Sequence, residues 1–155
     1  MRRRELLGGT LGGILGGTLG STLGIAPLLA APSYLYRNSQ AEVMGSRALL
    51  EAFKTQQSNV VIDNVSGAIE AVLPDDIDGS RHQRFIIRVS RDQTVLVVHN
   101  IDMAARINGL RKGDRVSVKG EYEWNDRGGL IHWTHKDPRS SHEDGWIEYN
   151  RVRYE

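Results

Sequence analysis

The sequence predicts a mainly β domain with an N-terminal helix, its strands closing into an OB-like five-stranded Greek-key barrel. Three observations lead there. A helical apolar period appears once, ahead of residue 58. From Asn59 onward the chain turns into short alternating or apolar runs of strand length, cut by Gly, Asp and Asn clusters. Five such runs, with a short helical link between the third and fourth and a closing hairpin, match the barrel; an SH3-like barrel or a small β-sandwich is the alternative, because strand count alone does not dictate closure.

Residues 1–32 are a different material from the rest and stand outside that fold. Arg2, Arg3 and Arg4 precede a stretch from Leu6 to Tyr36 without a charged side chain, and eight of the 17 glycines lie between Gly8 and Gly24. A cationic start followed by an apolar run reads as an export signal or a membrane anchor. "RRRELLGG" resembles the twin-arginine export signal, with Arg3 and Arg4 as the pair. Small residues at Gly8, Gly12, Gly16, Gly20 and Gly24 follow the four-residue spacing of packed membrane helices, so residues 6–31 would contact the membrane if the segment is retained. Either way the arginines stay inside and the domain lies outside. The expected location is therefore periplasmic or extracellular, with anchoring to the inner membrane under the second reading.

Residues 33–58 read as a linker and an amphipathic helix. Ser39 with Glu42 makes a capping-box signature, so the helix is expected from about Ser39 to Gln57. Ala41, Met44, Ala48, Leu49, Ala52 and Phe53 recur at helical spacing and form its docking face.

Residues 59–155 carry the barrel. "VVIDNVSGAIEAVL" is a long β-branched run in which Gly67 would let the strand bend. "PDDIDGS" is a turn, and "RHQRFIIRVS" alternates, with Phe85, Ile87 and Val89 opposite Arg84 and Arg88. "QTVLVVHNI" suits a strand covered on both faces. "DMAARINGLRKGD" links it to the most legible strand, in which Val116, Val118, Tyr122 and Trp124 oppose Arg115, Lys119, Glu121 and Glu123. "NDRGG" turns this strand back into "LIHWTH", where Ile131 and Trp133 share one face and His132 and Thr134 the other.

Taken together, "GSRHQRFIIRV", "LVVHNIDMAARI", "GDRVSVKGEYEWNDRGGLIHWTHKDP" and "HEDGWIEYN" resemble a family of short bacterial exported proteins known as domain of unknown function 3465. The resemblance covers residues 42–154. It implies an exported, OB-like small domain and no established activity. One departure is "PRSSHEDGW", where the resemblance leads one to expect glycine after the Pro-Arg pair.

Without cysteine there are no disulfides, thiolate ligands or thiol nucleophile, so any metal would rest on His and carboxylates. The net charge of +1 turns to −1 once Arg2 to Glu5 are set aside, which argues against a nucleic-acid partner. All five histidines, at 82, 99, 132, 135 and 142, lie in the barrel half. His82, Arg84, His132, His135, Asp137 and His142 form the candidate ligand-binding patch. His132, His135 and His142 are the candidate ligands for Zn²⁺ or another divalent metal, with Asp137, Glu143 or Asp144 as carboxylate donors. His132 and His135 are three apart and would point to opposite faces of a continuing strand; convergence requires the strand to end near Thr134.

Two function classes use the same patch. The first is an exported envelope-binding or accessory module, its ligand an envelope glycan, peptidoglycan fragment or protein. An OB-like face bearing Arg84, Arg88, Tyr122, Trp124, Trp133 and His132 would offer aromatic platforms, although strand parity places Tyr122, Trp124 and Trp133 with the core. The second is metal-assisted phosphoester hydrolysis, with His135 or His82 as base, Asp137 orienting it and Arg84 stabilising an anionic oxygen. No nucleophile-elbow serine is present, and "HEDGW" lacks the second histidine of a zinc-protease helix.

Overall fold

A computed structural model describes residues 33–155, with side chains from Ser39 onward. The address segment therefore lies outside the described residues. The elements are α1 (Ser33–Lys54), β1 (Val60–Val72), β2 (His82–Arg88), β3 (Thr94–Asn100), β4 (Arg115–Glu123), β5 (Leu130–His132), β6 (Trp146–Tyr149) and β7 (Val152–Tyr154). Among the described residues no helix is long and apolar enough to cross a membrane.

The first five strands close on themselves in the order β1-β2-β3-β5-β4, with β4 returning to β1. All neighbours are antiparallel except β3 and β5, whose parallel pairing joins Leu96 to Leu130 and Val97 to Ile131. This is the strand order of an OB-like barrel. Closure depends on β1 serving two partners: it pairs with β4 from Val60 to Ala68 and with β2 from Ala68 to Val72. The change of partner falls at Ala68, next to Gly67, and the register slips lie on either side, between Ile62 and Val65 and between Ile69 and Ala71.

Strand parity gives the core. Ile62, Val65, Ile69, Phe85, Ile87, Val95, Val97, Val116, Val118, Tyr122, Ile131 and Ile147 are buried inside the barrel. The link between β3 and β4 is turned, not helical, and sends Ile107 into this core, where Gln83 holds it: Gln83 Nε2 donates to Ile107 O at 2.8 Å and Ile107 N donates to Gln83 Oε1 at 2.9 Å. On β3 the outward Leu96 and Val98 are only half-buried, so that strand is covered on one face, not two.

Two expectations need correction. The helix begins at Ser33, so Ser39 and Glu42 lie inside it and not at its N-terminus. Its docked face is also rotated: Gly45, Leu49 and Ala52 are buried while Met44 and Ala48 are exposed. Gly45 explains the rotation, because a Cβ there would stand 2.3 Å from Asp63 O and 2.7 Å from Asn64 O; the glycine lets the helix lie directly on the bulged backbone of β1. Second, the sheet has seven strands, since β6 and β7 extend it beyond the barrel. Because β5 is only three residues long, the Val116–Lys119 edge of β4 remains open, and β6 pairs there. The β6–β7 turn was not foreseen because its left-handed residues are Asn150 and Arg151, with no glycine to mark it.

Candidate functional site

The strand of "LIHWTH" stops at His132, and Trp133 takes a left-handed backbone with φ of 51°. This single reversal rearranges everything after it. The indole leaves the core side that parity assigned to it and stands 38% exposed, whereas Tyr122 is fully buried and Trp124 packs against the core with Nε1 donating to Phe53 O. The turned chain passes over two glycines: a Cβ on Gly120 would meet His132 O at 2.3 Å, and one on Gly145 would meet Trp133 O at 1.9 Å.

The reversal brings His132 and His135 to the same side. Trp133 stacks with His132, at 5.0 Å and 30°, and with His142, at 4.3 Å and 23°. His135 meets both Trp133 and His142 edge to face, at 6.0 and 5.0 Å. An open cavity of about 580 Å³ adjoins this group, lined by His82, Asn100, Met103, Trp133, His135 and His142 among others. A smaller one of about 220 Å³ shares His82, Trp133 and His135 and adds His132. His82 reaches the group because it opens β2 opposite Asn100, at the same barrel end.

The tautomers follow from carbonyl partners, which can only accept. His135 Nδ1 donates to Lys136 O at 2.7 Å and His142 Nδ1 donates to Glu143 O at 2.8 Å. In the neutral rings Nε2 is then a lone-pair acceptor. His135 is 2% exposed and its Nε2 has no hydrogen-bond partner. His99, beneath the group, is wholly committed: Nε2 donates to Ala105 O at 3.2 Å, so Nδ1 accepts from Thr134 Oγ1 at 2.8 Å. Burial pushes its pKa down to about 4.

Several expected partners are occupied elsewhere. Asp137 does not orient His135; its carboxylate organises its own loop, accepting from the Ser141 hydroxyl and backbone N–H, from Arg139 N at 2.9 Å and from His142 N at 3.0 Å. The Ser141 hydroxyl and then the Arg139 N–H hold this carboxyl well below the usual carboxylate range. Arg84 lies outside both cavities, donating from Nε and Nη2 to Pro74 O. The proposed hydrolytic arrangement of His135, Asp137 and Arg84 is therefore not assembled. His132, His135 and His142 cluster as rings, yet their nitrogens do not gather as a metal set. Among the described residues the one set of three ligand atoms within 4.8 Å of one another is Glu121, Glu123 and His132.

Glu121, Glu123, Trp133 and Asn100 are the residues that the candidate patch omitted. For the two glutamates a signal existed, since the "NDRGG" hairpin already placed both on the face opposite the core side. In the ladder Glu121 faces His132 directly. His132 Nε2 stands 3.8 Å from an oxygen of each carboxylate, and burial lowers its pKa against the opposing pull of the two glutamates. For Trp133 nothing local announced the left-handed turn.

The loop that carries His142 contains a second left-handed residue, Ser140, with φ of 53°. This is the position where the resemblance led to an expected glycine. Ser140→Gly should stabilise the domain by about 0.5 kcal/mol, the relief of left-handed strain partly offset by glycine's greater unfolded-state entropy. A lower melting temperature in the variant would contradict this.

No curated protein matches the chain significantly. One family model does, a protein of unknown function designated DUF3465, over residues 34–155. That span holds the barrel, the appended hairpin and every residue of the site, and by it the chain belongs to the DUF3465 family.

Proposed function

We propose that this protein is an exported binding module of the cell envelope, and that its pocket at the β2–β3–β5 end takes a neutral, hydroxyl-rich ligand such as a glycan fragment. The observation that carries the reading is the convergence of His82, Trp133, His135 and His142, from three separate chain segments, beside one cavity of about 580 Å³. Its chemistry is mixed. His142 presents an acceptor nitrogen, while Asn100, whose Oδ1 already accepts from Asp102 N, keeps its amide donors. Asp137 and Arg139 on the wall cancel in charge. Hydroxyl groups both donate and accept, so they suit such a wall without needing a compensating charge.

The geometry also narrows the mode of recognition. Trp133 is already stacked with two imidazoles, which supports recognition by hydrogen bonds to the wall more than by stacking on the indole. The outward residues of β2 and β3 are His82, Arg84, Ile86, Arg88, Thr94, Leu96, Val98 and Asn100, which hold no platform for stacking bases. Arg88 is tied to Glu70 and to Arg91 O. Export is supported by the tri-arginine segment and the uncharged run behind it.

The test is an NMR titration of the full chain with soluble N-acetylated amino-sugar oligomers, with a single-stranded oligonucleotide in parallel. Amide shifts confined to residues 80–82, 100–103 and 133–142, weakened about tenfold in His142→Gln, are expected from the loss of one buried hydrogen bond. Saturating shifts elsewhere, a response to the oligonucleotide alone, or no response to the sugars would overturn the reading.

A further inference from the structure

We propose that Glu121, Glu123 and His132 form a binding site for a divalent transition-metal cation on the outer face of the β4–β5 hairpin. The site is built by register. Glu121 and Glu123 are two apart on β4 and so share a face, and the ladder sets His132 opposite Glu121. The hairpin thereby aims one imidazole nitrogen between two carboxylates, at 3.8 Å from an oxygen of each.

Neither approach is a hydrogen bond at that distance, and His132 Nε2 is buried without a partner. Metal–ligand bonds of about 2.0–2.2 Å put donors about 3.4 Å apart around a tetrahedral ion. Closing from 3.8 Å asks only a few tenths of an ångström from each side chain. The imidazole is already oriented, since it stacks on Trp133.

The electrostatics supply a second, separate observation. Several other carboxylates have a cationic partner: Glu70 meets Arg88 and Lys112, Glu148 meets Arg153, Asp75 meets Arg106, and Glu143 meets Lys119. Among the described residues neither Glu121 nor Glu123 has a lysine or arginine within 4.0 Å, although both are half-buried and side by side. A dication between them removes that repulsion. Two oxygens and one nitrogen favour Zn²⁺, Co²⁺ or a similar ion over Ca²⁺, which takes six to eight oxygens.

The proposal stands apart from the glycan reading, which uses other atoms and another probe. It is tested on the full chain, without a histidine tag, by calorimetric titration with Zn²⁺ alone and by the visible absorption of Co²⁺. One equivalent per chain is expected, with the dissociation constant raised at least about tenfold in Glu123→Gln and in His132→Gln. His142→Gln should bind like the parent chain. Unfolding curves identify any variant that loses structure, and the ¹⁵N shift of His132 Nε2 on adding Zn²⁺ to the parent chain reports ligation independently of any substitution. No saturable uptake, uptake that survives both His132→Gln and Glu123→Gln, or an unmoved His132 resonance would leave an imidazolium–carboxylate contact only and overturn the proposal.

Discussion

Gly145→Ala is expected to cost the domain about 3 kcal/mol, the upper part of the range for forcing a methyl group into closed packing. The added Cβ would sit 1.9 Å from Trp133 O, 2.8 Å from Lys119 O and 2.9 Å from Thr134 Cα. All three are backbone atoms in or beside paired strands, so no flexible side chain can swing away to make room. Relief must come from the loop itself, which moves off and breaks the bond from Gly145 N to His135 O at 2.9 Å. The damage should therefore be local as well as global. His142, which this loop carries against Trp133, would lose its stack, and indole fluorescence and the His142 ring shifts should change together with the unfolding midpoint. An alanine variant with the parent's stability and an unchanged His142 environment would show that the close approach is not real.

Acid should weaken the fold over a window set by His99. This ring is fully buried, and burial holds its pKa at about 4 against an ordinary 6.5. Between those values the unfolded chain binds a proton that the folded chain refuses, so lowering the pH favours unfolding. Stability is expected to be flat above about pH 6.5 and to fall by about 1.4 kcal/mol per pH unit down to about pH 4, roughly 3 kcal/mol in all. Protonating Nδ1 would also turn the acceptor of the Thr134 hydroxyl into a donor, which gives the energy a structural meaning: the β3 end, the Ala105 link and the segment after β5 lose their common post. Asp137 works in a different window. Its depressed pKa means that its contribution is intact above the ordinary aspartate value of 3.8 and is lost as pH falls below it. Urea titrations at pH 7, 5.5 and 4.5, beside the NMR titration of the His99 ring, separate the two. A flat stability curve from pH 7 to 4.5, or a His99 midpoint near 6, would refute the assignment.

The comparison of sequence with structure is most instructive at the ends of strands. Alternation along β2, β4 and the "NDRGG" hairpin was legible because a pleated strand in a one-sided core must show period two, and the inside set from Phe85 to Ile131 follows it residue by residue. The helix was legible as an element and misplaced as a face, because hydrophobicity pointed to Met44 and Ala48 while the docking was settled by the missing side chain of Gly45. The same kind of error hid the site. Parity carried past His132 puts Trp133 in the core; one left-handed residue takes it out and surrounds it with three imidazoles.

By itself the sequence determined the class of fold, the strand faces, the family, and the fact that the histidines are crowded into the barrel half. These are local properties, written in periodicity and turn composition. Only the tertiary structure decided which of those histidines share a cavity, that Asp137 spends its carboxylate on its own loop, that Arg84 is tied down at Pro74, and that Glu121 and Glu123 close around His132. The physical reason is that convergence depends on where strands stop and how closely backbones pass. Those are set by steric contacts between residues far apart in the chain, such as Gly145 under Trp133, which no local pattern records.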